Sequence, residues 1–74
     1  MGRLSGFTAS DITHKLRRAG FAFDRSAKGS HEIWRNLTTG RRAIVPNHPS
    51  EMSEGTVRAI VRQSGLTVDE FLKL

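Results

Sequence analysis

The sequence predicts a small α+β domain in which an antiparallel sheet of three strands is covered on one face by helices. Three observations support this class: a helical repeat of apolar residues near the N-terminus, three strand-like segments in the middle, and a second helical repeat near the C-terminus. The chain has 74 residues and no cysteine. Because so short a chain must build a core without disulfides, helices have to cover one sheet face. We expect residues 1–74 to form one domain.

The first helix is predicted over residues 9–19. Thr8 and Asp11 form a capping-box-like pair at its start, with Asp in place of the usual Glu or Gln. Gly20 suits the left-handed conformation that ends a helix. Apolar residues recur at the spacing of one helix face: Ile12, Leu16 and Ala19.

Three strands are predicted over residues 21–25, 31–36 and 41–46. A small, polar segment at 26–30 reads as a turn, and the glycine-containing loop 37–40 joins the second and third strands as a hairpin. Apolar residues are adjacent in both hairpin strands, as at Ile33 and Trp34. Strict alternation is therefore missing, and the sequence leaves open which sheet face is buried.

Two helices are predicted after the sheet. Ser53 is a good N-cap, Glu54 places a negative charge in the first turn, and Gly65 ends the helix. Thr67 and Glu70 then form a capping box for a short last helix. The predicted order is αβββα followed by this terminal turn of helix, and the free face of the sheet is available to a ligand.

The charge of the chain indicates an anionic partner. Its formal net charge is +5, and from Lys15 to Arg62 ten basic residues stand against four acidic ones. Such an excess attracts polyanions by counterion release, although a solvated basic surface that only keeps the protein soluble is the plain alternative. No segment has the roughly 18 apolar residues of a membrane-spanning helix, and no secretory signal is evident. We expect no membrane association and a cytoplasmic location.

The segment KGSHEIW at residues 28–34 carries the most specific chemical signal. Imidazole, with an ordinary pKa of about 6.5, takes up and returns protons near neutral pH. Gly29 allows close approach of backbone to a ligand, Ser30 offers a hydroxyl and an amide, and Lys28 supplies a cation. His31 is therefore a candidate general acid or base. The alternative is a half-exposed histidine bonded to a nearby carbonyl.

Other candidate residues have weaker support. The three histidines, 14, 31 and 48, stand alone without close ligand pairs or cysteine, so we expect no metal ion and no cofactor. His48 follows the third strand and could lie near His31, but a role in ordering its loop is the preferred interpretation. Trp34 is preferred as a core residue over a base-stacking one.

Two neighbouring arginines open the third predicted strand. Arg41 and Arg42 are candidate phosphate contacts, and the alternative is an edge strand that its charges protect from pairing.

The motifs AGF, KGSHEIW, VPNHP and EGTVRAIVRQSGLTVDEF, in this order and spacing, resemble the HicA (YcfA-like) toxins of bacterial toxin–antitoxin systems over nearly the whole chain. The resemblance implies a fold like the double-stranded-RNA-binding domain and activity as an mRNA interferase, an RNA endonuclease that blocks translation. It also implies a HicB antitoxin that covers the active site. The family's catalytic histidine maps onto His31, and its preceding glycine and serine map onto Gly29 and Ser30.

A mechanism without metal follows as a hypothesis, because the 2′-hydroxyl of RNA is the nucleophile. His31 would act as general base or acid. Phosphates would be held by Lys28 and by one or more of three arginines: Arg35, Arg41 and Arg42. At position 32 the family often has a second histidine or a neutral residue, whereas this chain has Glu32. That carboxylate would repel a phosphate if it pointed into the site, or it would orient His31.

Two other function classes remain open from the sequence. One is a nucleic-acid-binding module that does not cleave, since the basic charge and a double-stranded-RNA-binding-like sheet serve that role equally well. The other is an interaction subunit whose basic face meets an acidic protein.

Overall fold

The computed structural model describes residues 2–74 and confirms the predicted fold class and element order. The elements are α1 (Ala9–Arg18), β1 (Phe21–Ser26), β2 (His31–Asn36), β3 (Arg42–Pro46), α2 (Glu54–Ser64) and α3 (Val68–Leu72). The predicted bounds of α1, β1 and β3 each differ from these by one residue at one end.

Capping side chains fix where the helices begin. At α1 the Thr8 hydroxyl accepts from the Asp11 N–H at 3.2 Å, and the Asp11 carboxylate accepts from the Thr8 N–H at 3.0 Å. The hydrogen bonds from the backbone and then the side chain of Thr8 hold the pKa of Asp11 below its ordinary value of 3.8. Thr67 and Glu70 form the same reciprocal pair at α3. Both predicted capping boxes are therefore present.

The strand register answers which sheet face is buried. The strands are antiparallel in the order β1-β2-β3, and Trp34 on β2 lies opposite Phe23 on one side and Ala43 on the other. Trp34 and Ala43 are buried under the helices. Ile33 is paired with Ile44, which is 45% exposed, on the opposite face. The sheet thus has a covered face and an open face, and His31 belongs with Ile33 on the open one.

The core lies between the covered sheet face and the helices, and Trp34 belongs to it as predicted. Its largest fully buried side chains are Phe71, Leu4, Ile12, Leu16, Ile60, Val45 and Val57. Burial of these groups is the main stabilising contribution in a chain without disulfides. Within residues 2–74 no helix combines the length and the apolar character needed to cross a membrane.

The C-terminal segment is held against α1 by Lys15. Its ammonium donates to the main-chain oxygen of Leu74 at 2.9 Å and lies 5.7 and 5.5 Å from the ring centres of Phe7 and Phe71. These two rings meet edge to face, with centres 5.7 Å apart. One of the positive charges counted in the sequence is therefore used inside the fold.

Candidate functional site

The turn between β1 and β2 sets the position of His31. The turn is closed by a hydrogen bond from the Ala27 N–H to the His31 carbonyl oxygen at 2.8 Å. Gly29 occupies the left-handed region with φ 72°, which glycine adopts without the strain that a side chain brings. In this conformation the Lys28 carbonyl oxygen lies 3.2 Å from Nδ1 of His31. The exposed imidazole is thus held at the start of β2 by the backbone of its own turn.

The contact with Lys28 defines the tautomer of the neutral ring. A carbonyl oxygen only accepts hydrogen bonds, so Nδ1 of His31 has to carry the proton in this 3.2 Å contact. Nε2 then carries the free lone pair. The ring is arranged to take up a proton at Nε2, as a general base must.

His31 forms part of the wall of a cleft of about 270 Å³ at the end of β3 and the start of α2. Seven other residues line it beside His31 and bring an imidazole, hydroxyl groups, a carboxylate and apolar groups: Pro46, His48, Ser50, Glu51, Met52, Ser53 and Thr56. Pro46 is the cross-strand partner of His31 on β3. The cleft therefore offers two imidazoles, several hydroxyl groups and the carboxylate of Glu51 on one surface.

Sequence reasoning identified His31 but not the full composition of this cleft. His48 was expected to order its loop, yet within residues 2–74 it makes no side-chain hydrogen bond and its ring lines the cleft instead. Ser53 was recognised only as the N-cap of α2, and Thr56 was not noticed. The available signal was that both hydroxyls follow VPNHP within a few residues, where β3 has just ended.

Glu32 lies on the covered side of β2, away from the cleft that contains His31. One carboxylate oxygen accepts from Nε1 of Trp34 at 3.0 Å, and the other accepts from Nδ2 of Asn47 at 2.9 Å. The two roles considered for this carboxylate were repulsion of a phosphate and orientation of the catalytic imidazole. The structure shows neither, because Glu32 instead joins the indole to the loop after β3.

The predicted arginines lie at the other end of the sheet from His31. Arg35 is four residues along β2 from His31, which corresponds to about 13 Å at the usual strand rise. Arg42 is directly opposite Arg35 on β3. Arg41 precedes β3, and its guanidinium lies beside Gly65. A Cβ added to Gly65 would be 2.5 Å from Nε of Arg41. The structure thus separates these three cations from His31, and Lys28 alone of the predicted cations adjoins it.

Two like charges directly opposite each other on a sheet repel, so the Arg35 and Arg42 pair favours an anion between or above them. Within residues 2–74 no group of three or more His, Asp or Glu side chains is arranged to hold a metal ion.

A protein-family model matches most of the chain. The family model described as the HicA toxin of bacterial toxin–antitoxin matches residues 9–66, which is most of the chain. The matched segment runs from α1 through α2 and includes the turn before β2, His31 and the loop that carries His48. No curated protein matches the chain.

Proposed function

The chain belongs to the HicA toxin family, and from that premise we propose that this toxin is an mRNA interferase, an RNA endonuclease that cleaves mRNA and so blocks translation. One observation carries the proposal. The Lys28 carbonyl holds Nδ1 of His31 at 3.2 Å, so that Nε2 is left with a lone pair on a ring that lines a polar cleft. An antitoxin partner follows from membership of a toxin–antitoxin family.

In the proposed reaction the RNA supplies its own nucleophile. Nε2 of His31 takes the proton of a ribose 2′-hydroxyl, and the resulting oxygen attacks the adjacent phosphorus. The bond from phosphorus to the 5′ oxygen breaks, and that oxygen receives the proton that Nε2 of His31 took up, in the cleft that His48 also lines. The products are a 2′,3′-cyclic phosphate and a 5′-hydroxyl. No metal ion or cofactor is needed to balance these steps.

Positive charge and N–H donors would stabilise the extra negative charge on phosphorus. Lys28, Gly29 and Ser30 precede His31 in the turn and are the proposed contacts to the reacting phosphate. Arg35, Arg41 and Arg42 are proposed to hold phosphates further along the RNA, because they lie at the other end of the sheet. One general base contributes roughly 10² to 10⁴ in rate, so we expect a slow nuclease.

A HicB antitoxin is proposed to neutralise this activity by covering the His31 cleft. Both proteins would act in the cytoplasm, where mRNA is translated. The cleft is open in the free chain, with His31 exposed at its edge.

The test compares wild type, His31→Ala and His14→Ala. His14 is exposed on α1 and serves as the matched control. We expect induced wild type and His14→Ala to arrest growth and degrade mRNA, and His31→Ala to do neither. The purified toxin should cleave RNA in EDTA and leave 2′,3′-cyclic phosphate ends.

Cleavage by folded His31→Ala at the wild-type rate would contradict the assignment. RNA that is bound but never cleaved by the wild type would instead favour a binding module without catalysis.

A further inference from the structure

A second cleft, of about 510 Å³, lies between α1 and the covered face of the sheet. Its helix side is formed by one face of α1 that carries Ser10, Thr13 and Arg17. Its sheet side is formed by Phe23, Glu32 and Trp34. The catalytic assignment to His31 uses none of these residues.

Phe23 presents an exposed aromatic ring inside this cleft. Its register opposite Trp34 directs it to the face that the helices cover, yet the side chain is 46% exposed. The two rings meet edge to face, with centres 6.0 Å apart and planes at 76°. The outer face of Phe23 is therefore available to a flat ligand, which would remove apolar surface from water.

Arg17 adds a flat cation to the same surface. Its guanidinium lies 4.9 Å from the centre of the Trp34 ring, which is itself only 3% exposed. A guanidinium placed over an aromatic ring is held in a fixed plane, and its exposed side stacks well on bases. The cleft thus combines an aromatic face and a cationic face.

Polar groups complete the lining. The hydroxyls of Ser10 and Thr13 both donate and accept, and so does the amide of Asn47. The Asn47 amide is held by Glu32 at 2.9 Å. Stacking faces beside a few hydrogen-bonding groups are what single-stranded RNA recognition requires, because an unpaired base offers both a π surface and a polar edge.

We propose that this cleft binds an unpaired base of the RNA substrate, next to the phosphate that is cleaved. His31 and Glu32 are consecutive on β2, with side chains on opposite faces, so the cleft and the reacting site adjoin across one strand. The inference rests on the proposed nuclease function and adds a substrate class: RNA that is single-stranded at the cleavage site.

The experiment measures binding by His31→Ala, which should bind RNA without cleaving it. Trp34 is the single tryptophan of the chain, so its fluorescence reports on this cleft. The probes are oligoadenylate, oligouridylate and an abasic ribose phosphate oligomer of the same length. We expect both base-containing RNAs to change the Trp34 signal and to bind more tightly than the abasic oligomer, which has equal charge.

Variants of Phe23 in the same background then test the stacking. Phe23→Leu keeps an apolar side chain but should weaken oligoadenylate binding about fivefold to a hundredfold, with little effect on the abasic oligomer. Phe23→Tyr should restore affinity. Ile44→Ala is the matched control, since Ile44 is 45% exposed against 46% for Phe23 but lies on the open face. It should bind all three probes as the His31→Ala protein does.

Equal affinity for abasic and base-containing RNA would overturn the proposal, and so would an equal loss in Phe23→Leu and Ile44→Ala. Loss of pairing with an antitoxin in Phe23→Leu, with RNA affinity unchanged, would assign the cleft to the protein partner instead. These results are separate from the nuclease assignment, which fails only if His31→Ala still cleaves or wild type does not.

Discussion

Nδ1 of His31 lies 3.2 Å from the carbonyl oxygen of Lys28, within the turn that connects β1 to β2. Among residues 2–74 this is the one hydrogen bond that orients the ring, and its partner is backbone, not a side chain. The orientation of the imidazole therefore depends on the conformation of the turn. That conformation includes Gly29 at φ 72°.

Gly29→Ala should reduce RNA cleavage while the protein still folds. An added Cβ would meet Nδ1 of His31 at 3.9 Å, an ordinary contact, so the cost arises from φ and not from a clash. Forcing an L-residue into this region costs about 1–2 kcal/mol. The turn relieves that strain by shifting, and the Lys28 carbonyl then moves away from His31. Single-turnover cleavage rates and urea unfolding measure the two effects.

Gly40→Ala is the matched control for that change. Gly40 has φ 78° in the other hairpin turn, and nothing lies within 4 Å of an added Cβ. It should lose a similar amount of stability and keep the wild-type cleavage rate. Equal cleavage by Gly29→Ala and Gly40→Ala would show that the turn does not position His31.

Lys15→Met should destabilise the fold without weakening RNA binding. The variant loses the hydrogen bond to the Leu74 main-chain oxygen, at 2.9 Å, and the cation above Phe7 and Phe71. Hydrogen bonds from charged groups contribute about 1.5–3 kcal/mol, and we expect a loss in that range by urea unfolding. Arg18→Met, on an exposed position of α1, should change stability by less than about 0.5 kcal/mol. A larger RNA-binding defect in Lys15→Met than in Arg18→Met would contradict the prediction that Lys15 stabilises the fold and does not bind RNA.

Local chemistry explains why the helices were predictable from the sequence. The Thr8 and Thr67 capping boxes and the left-handed Gly65 each act within a few residues, so the sequence reveals them directly. His31 could also be chosen as a candidate from the sequence, because a turn glycine and a lysine stand beside it in the chain.

Contacts between distant residues explain what the sequence did not reveal. Adjacent apolar residues on β2 hid the register, in which Trp34 is buried in the core and Ile33 faces the other side of the sheet. Lys15 was counted as a surface charge although its partner is 59 residues away. Arg42 lies far from His31 because it pairs with Arg35 in the hairpin. The predicted strands already implied this pairing, but the prediction of phosphate contacts did not take it into account.

Asp11→Asn should lower stability at neutral pH, by an amount that disappears in acid. The folded-state pKa of Asp11 lies below 3.8, because the Thr8 N–H and hydroxyl stabilise the carboxylate. A carboxyl with a depressed pKa stabilises the fold above its unfolded-state pKa, and this contribution is lost as pH falls through the folded-state value. Thermal unfolding of wild type and Asp11→Asn, measured from neutral pH down to below the folded-state pKa of Asp11, should give Tm values that converge as the pH falls. A difference that persists or grows in acid would contradict the assignment.

Glu32→Gln should leave cleavage at saturating RNA close to the wild-type rate, because the carboxylate faces away from the His31 cleft. Glutamine retains an oxygen to accept from Nε1 of Trp34, and its amide nitrogen can donate to the Asn47 side chain once that amide is turned. Stability should therefore also change little. Urea unfolding and single-turnover cleavage measure the two properties.

Glu32→Leu, in contrast, should lose about 1–3 kcal/mol, since the buried indole N–H of Trp34 is left without an acceptor. Together, Glu32→Gln and Glu32→Leu separate a structural role of the Glu32 carboxylate from a role in the reaction. If Glu32→Gln folded with wild-type stability but cleaved much more slowly, the carboxylate would act on the reacting groups. The contacts to Trp34 and Asn47 would then not describe the state that cleaves RNA.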